Sequence, residues 1–147
     1  MHAYDIDLVR RSFAKLEPIA PQAAALFYDN LFTADPALRN LFRGDMREQG
    51  AKLMQMIGAA VSLLDQPELL SSALRKLGAR HAGYGVAEPH YASVGGALLR
   101  TLQAGLGESF TVEVRNAWVA LYDFVSRSMI DAARAEATSA ASALRYV

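Results

Sequence analysis

The stretch LGARHAGYGVAEPHYASVGGALL, residues 77–99, holds a helix end, a helix start and a histidine between apolar turns. His81 follows Leu77 by four residues, so the two share one face of a helix. Gly83 and Gly85 come next, and glycine readily takes the left-handed conformation that closes helices. Glu88-Pro89 then opens a new helix, because proline suits the first turn. Val94, Leu98 and Leu102 continue it at four-residue steps.

The same punctuation extends in both directions. Toward the N-terminus, Pro67 opens the helix that carries Leu70, Leu74, Leu77 and His81. A long helix is predicted from about Met46 to Leu64, after a break at Arg43-Gly44-Asp45. Asp35-Pro36 starts a short piece ending near Leu41-Phe42, with Asp as cap and Pro at the first position. Ahead of it, Ala24, Tyr28, Leu31 and Phe32 lie on one side of a helix that begins after Pro18 and Pro21. Ile6, Val9, Phe13 and Leu16 mark a first helix from about Asp5. Toward the C-terminus, Gly105 and Gly107 close the helix begun at Glu88. A last helix after Phe110-Thr111 repeats Val114, Trp118, Leu121, Val125 and Met129. No strand-like alternation of useful length and no internal repeat occurs. The expectation is an all-α domain of seven or eight helices over residues 1–133. An Ala/Ser-rich tail, 134–147, is expected to fray.

Composition narrows the chemistry. Of 147 residues, 52% are hydrophobic and 20% charged, which favours a collapsed core over disorder. Fifteen basic and fifteen acidic residues cancel, and no run of Lys or Arg stands out, so a dedicated nucleic-acid binder is not expected. The chain has no cysteine, which excludes disulfides, thiolate zinc sites and iron–sulfur clusters. That absence suits a reducing cytoplasm. The longest strongly apolar stretch, Met56 to Leu64, is too short for a bilayer, which takes about 20 residues.

Three histidines are present. His2 sits at the terminus and His90 at a helix start beside Pro89, a position expected at the surface. His81 alone lies late in an apolar helix, where its ring could donate one nitrogen to the carbonyl of Leu77 and leave the other for a metal. A lone histidine of this kind is more often a core or capping residue, and the residues alone leave that open. Tyr28 likewise reads as a core aromatic and Gln49 as an exposed polar residue near a helix start. Met54 and Met56 read as core, as do Trp118 and Tyr122.

The pieces LFYDNLFTADPALRNLF (26–42), EQGAKLMQMI (48–57), residues 77–99 and NAWVALYDF (116–124) occur in one order and spacing. Together they make the chain resemble the bacterial single-domain globins, including the haem domain of flavohaemoglobins and the neuroglobin-like globins of thermophiles. The resemblance runs from about Asp5 to Ala133. It implies a globin fold around one haem b. It makes His81 the proximal iron ligand, Phe42 the aromatic residue packed on the haem plane, and Tyr28 and Gln49 the distal donors toward a bound gas. A phenol O–H and an amide NH₂ suit a gas ligand on which negative charge develops. Leu53, four residues beyond Gln49, shares its helical side. Leu77, Val86, Tyr91 and Val94 complete the expected haem contacts. Lys52 and Arg80 stand where they could reach the rim, although a solvated role is the commoner one for such side chains.

In flavohaemoglobin-like proteins a tyrosine matching Tyr91 and a glutamate on the last helix tune the proximal histidine. Counted from Trp118, the glutamate position holds Ala133, with Asp131 nearby on another face. That departure implies weak peroxidase chemistry at most. With glutamine at the distal position, a second imidazole is not expected to close the iron, so the ferrous state should be five-coordinate. The functions implied are reversible binding of O₂, NO and CO, for oxygen delivery or for conversion of NO to nitrate with an external reductase. The alternative is a gas-sensing module read by a partner protein. Monomer and homodimer are both compatible.

Overall fold

The computed structural model describes the backbone through Arg145 and the side chains through Thr138. The described residues form six α-helices joined by short 3₁₀ turns: α1 (Ala3–Leu16), α2 (Ala20–Ala34), α3 (Met46–Ser62), α4 (Pro67–Gly83), α5 (Glu88–Leu106) and α6 (Val112–Arg145). The expected count of seven or eight is corrected to six. The short piece after Asp35 is a 3₁₀ turn, Pro36–Leu41, too short for a full α-helix between two fixed neighbours. Helix α6 runs past residue 133 to Arg145. The side chains of 139–147, the greater part of the expected tail, lie outside the described residues.

The helix ends follow local chemistry. The Asp45 carboxylate accepts the Arg47 amide at 2.7 Å and caps α3. Thr111 Oγ1 accepts the Val114 amide at the start of α6. After α4 the amides of Tyr84 and Val86 both reach the His81 carbonyl at 3.1 Å, and Gly85 sits at φ +87°. That turn reverses the chain directly below His81.

The apolar faces meet as the periodicity predicts. Val9, Phe13, Leu16, Leu70, Leu74, Leu102, Val114, Trp118, Leu121 and Met129 are buried together. A second cluster gathers Phe27, Tyr28, Leu31, Leu38 and Ala97. Met54 packs against the first cluster, but Met56 is 39% exposed and is not core. At the centre, Trp118 is 1% exposed and its Nε1 donates to Ser12 Oγ at 2.8 Å. Ser12 in turn donates to the Leu8 carbonyl. Ser12→Ala strips the indole of its only protein acceptor among the described residues. A loss of about 1–3 kcal/mol is expected, measured by urea unfolding of the two proteins.

One feature of the packing creates the site. Helix α4 lies mainly on α6, whereas α3 lies on α2 and α1. Consecutive helices α3 and α4 therefore do not pack closely against each other, and the region between them is termed the slot. Two glycines let the α4 and α5 walls sit close to α6. A Cβ on Gly78 would lie 2.7 Å from Met129 Cα, and one on Gly95 would lie 2.7 Å from the Tyr122 ring.

Candidate functional site

The α3 side of the slot is aromatic. Tyr28, on α2, is buried and meets Phe27 edge-on at 5.2 Å and Phe42 edge-on at 5.3 Å. Phe32 stacks on Tyr28 at 5.8 Å and meets Phe42 edge-on at 5.5 Å. Leu41, Phe42, Met46, Leu53, Val94 and Leu98 are only partly buried and pack on this cluster. Sequence places Phe32, Leu41, Met46 and Leu98 in helical segments but gives no sign that they belong to a site. Their helical spacing looks like ordinary core, and only the fold reveals that they stop half-buried.

Two polar side chains stand at this cluster, linked through the Gln49 backbone and not through their tips. The Tyr28 hydroxyl donates to the backbone carbonyl of Gln49 at 3.3 Å. The Gln49 amide donates to the Arg43 carbonyl at 3.4 Å. Both bonds are long for their type and can be exchanged for a better acceptor. Burial pushes the Tyr28 pKa up to about 12, so its Oη holds a proton throughout the physiological range.

Helix α4 carries His81, half-buried near its end. Its Nδ1 lies 2.9 Å from the Leu77 carbonyl, which fixes the ring plane and favours the tautomer protonated at Nδ1. Nε2 has no hydrogen-bond partner among the described residues. Burial, the main cause, lowers the His81 pKa; the Leu77 hydrogen bond opposes this and the Arg80 charge adds to it. The neutral ring is the metal-binding form. Leu77, Val86, Tyr91 and Val94 are half-buried. The Val86 amide reaches the His81 carbonyl, whereas Tyr91 packs on the first core cluster and Val94 on the aromatic one. The Tyr91 carbonyl accepts the Tyr122 hydroxyl at 2.6 Å, which ties the start of α5 to α6. No carboxylate reaches His81 in the described residues: Ala133 is half-buried and Asp131 is exposed. His90 is half-buried, and its Nδ1 accepts the Ala87 amide at 2.9 Å as a helix cap.

These residues fit a haem on physical grounds. No group of three or more His, Asp or Glu side chains converges on a metal position among the described residues. A metal at His81 must therefore bring most of its ligands with it, as a macrocycle does. Such a macrocycle needs apolar surroundings, and Phe42, Met46, Leu53, Leu77, Val86, Val94 and Leu98 are apolar side chains that the protein alone leaves incompletely buried. A cavity of about 20 Å³, walled by Phe13, Leu53, Met54, Leu98 and Trp118, lies deeper and is far too small for a haem. Lys52 and Arg80 are exposed and make no ion pair among the described residues. No described helix is long and apolar enough to cross a membrane.

Comparison with known proteins bears on this arrangement. The model of the Globin family matches residues 25–129. Neuroglobin of Tetraodon nigroviridis is 34% identical over 139 residues, covering 85% of this chain and 87% of the relative. A flavohemoprotein of Vibrio cholerae is 29% identical over 129 residues; they cover 86% of this chain but 33% of that protein, so the chain spans about a third of its length. Among solved structures, a carbene transferase engineered from a candidate nitric oxide dioxygenase of Rhodothermus marinus superposes with a TM-score of 0.85. It is 27% identical, with 96% of this chain and 99% of that chain covered. A hexacoordinated heme protein from an anhydrobiotic tardigrade has the same fold, with a TM-score of 0.83 at 17% identity over 91% of this chain and 96% of that one. An all-helical fold with this slot, matched by a family model over most of the chain, has one consistent explanation: the chain belongs to the globin family, whose membership implies haem binding.

Proposed function

We propose that the chain holds one haem b through His81 Nε2 and reversibly binds O₂, NO or CO on the Tyr28 side of the slot. The observation that carries this reading is His81 on α4, its Nδ1 fixed by Leu77 and its Nε2 without a partner among the described residues, in a chain of the globin family. Tyr28 and Gln49, each on a long bond to a backbone carbonyl, are the donors that suit the gas side. The haem, once bound, supplies an iron that accepts a diatomic gas. Phe42, Leu53, Leu77, Val86, Tyr91 and Val94 grip its apolar faces and keep water out, and Lys52 guards the rim.

Tyr28 and Gln49 act on the gas ligand. Each leaves a long bond to a backbone carbonyl and donates to a ligand that carries partial negative charge. A hydrogen bond of this sort contributes roughly 1.5–3 kcal/mol, or one to two decades in dissociation rate. Tyr28→Phe and Gln49→Leu are each expected to speed oxygen release about tenfold or more in stopped-flow experiments. Unchanged rates in both would remove the distal assignment. Because Tyr28 stays protonated until about pH 12, the wild-type release rate should be flat from pH 7 to 10.

The distal set contains no histidine, and His90 already spends Nδ1 on its cap. A five-coordinate ferrous iron is the expected resting form. Two roles use the same donors: oxygen binding and delivery, and NO conversion to nitrate with electrons from a separate reductase. With no carboxylate on His81, peroxidase activity should be weak. A cytoplasmic setting suits a chain without cysteine.

A further inference from the structure

The chain is neutral as a whole, yet its charge is not evenly spread. Between Arg39 and Arg80 stand seven cations, Arg39, Arg43, Arg47, Lys52, Arg75, Lys76 and Arg80, against four acids. The rest of the chain carries eight cations and eleven acids. Every one of the seven is exposed, and none joins an ion pair among the described residues. All four ion pairs use arginines from elsewhere, and one of them, Arg10 with Asp65, neutralises an acid within the span. Sequence distance hides this collar, since no two of its cations except Arg75 and Lys76 are adjacent.

Arg39, Arg43, Lys52, Lys76 and Arg80 lie on segments that carry candidate site residues, whereas Arg75 lines a separate surface hollow with Pro67, Glu68 and Ser71. Arg39 lies over the Phe32 ring at 5.4 Å. The Arg43 backbone carries the acceptor for Gln49. Lys52 is one position before Leu53 on α3. Lys76 and Arg80 stand one turn apart on α4, each beside a slot residue, Leu77 or His81. Exposed like charges left without counter-ions cost stability, and a cluster around one mouth steers an oppositely charged partner to it.

We propose that this collar is the docking surface for an acidic protein that donates one electron. The proposal rests on the reading of His81 as the haem ligand, since that reading puts a reducible metal beside the collar. The step is a single electron transfer: the donor is oxidised by one electron, ferric iron is reduced to ferrous, and no bond forms or breaks. Even the two carboxylates of a haem would leave the collar cationic, because the span's seven cations outnumber the three acids that make no ion pair among the described residues.

The test uses the haem-loaded protein and reduced flavodoxin, an acidic one-electron donor, as the probe. Rapid-mixing reduction should slow about tenfold or more between 20 and 300 mM salt, as screening shortens the reach of the collar. Arg43→Glu with Lys76→Glu should slow it about tenfold at low salt. Arg100→Glu with Arg115→Glu, an equal charge change on α5 and α6, should leave the rate unchanged. Independently of turnover, oxidised flavodoxin should shift amide resonances of residues 39–52 and 76–81 in the ¹⁵N-labelled protein. Equal rates for the two double variants, or shifts centred on another face, would overturn the proposal. So would binding to anionic lipid vesicles with no response to flavodoxin. A normal reduced spectrum with dithionite in the Arg43→Glu/Lys76→Glu protein separates failed docking from failed haem binding.

Discussion

His81→Gly is expected to abolish stoichiometric haem retention, and added imidazole should restore it. On the proposed reading His81 Nε2 binds the iron, since Leu77 holds Nδ1 and Nε2 has no hydrogen-bond partner among the described residues. Removing groups that merely orient a metal ligand costs roughly 10–100-fold in affinity, so removing the ligand itself should cost at least as much. Imidazole diffusing into the space left by the ring restores the bond without the chain. A protein that binds haem equally well without His81, with or without imidazole, would show that another residue holds the iron. The fold should survive the change, because His81 is only half-buried and contributes one side-chain hydrogen bond within its own helix.

Gly78→Val is expected to be the most damaging single substitution away from the slot. At this crossing α4 touches the α6 backbone, and even a Cβ would fall within 2.7 Å of Met129 Cα and against its carbonyl. Backbone cannot rotate aside as a side chain can. Overpacking of this kind typically costs about 1–3 kcal/mol, and a rigid obstacle places Val at the upper end. For a domain of this size each kcal/mol lowers Tm by roughly 2–4 °C. Thermal unfolding of the haem-free protein checks this without interference from the cofactor. Haem affinity should fall as well, because pushing α4 off α6 moves His81. A Tm within 2 °C of wild type would mean that the two helices separate readily.

Helix boundaries were legible because the signals are local. Asp45, Pro67, Glu88-Pro89 and Gly107 each act within one turn, and the observed ends of α3, α4 and α5 fall beside them. Core positions were legible for the same reason: four-residue spacing predicts a buried face whatever it is buried against. The 3₁₀ turn at Pro36–Leu41 was not, since six residues carry too few periods to distinguish it from an α-helix. Met56 read as core by composition, yet it lies on the outer side of α3.

Long-range partnerships were hidden. Gly78 and Gly95 look like weak points within helices, and only the crossings with α6 explain why no side chain fits. Ser12 and Trp118 are 106 residues apart, and nothing local announces their hydrogen bond. The candidate site was legible in part. Residues alone marked His81 and its Leu77 acceptor, whereas Tyr28 and Gln49 stood out only by family resemblance. The fold brings those two into contact through a bond from the Tyr28 hydroxyl to the Gln49 backbone, an arrangement that the side-chain types do not suggest.

The absorption spectrum of the protein with one equivalent of haem, before and after dithionite, tests the central claim most directly. The account predicts an intense Soret band with 1:1 saturation and a single broad visible band in the reduced form, the mark of a five-coordinate iron on His81. Two sharp visible bands on reduction would mean that a second side chain closes the iron, and no saturable uptake would contradict the haem site itself.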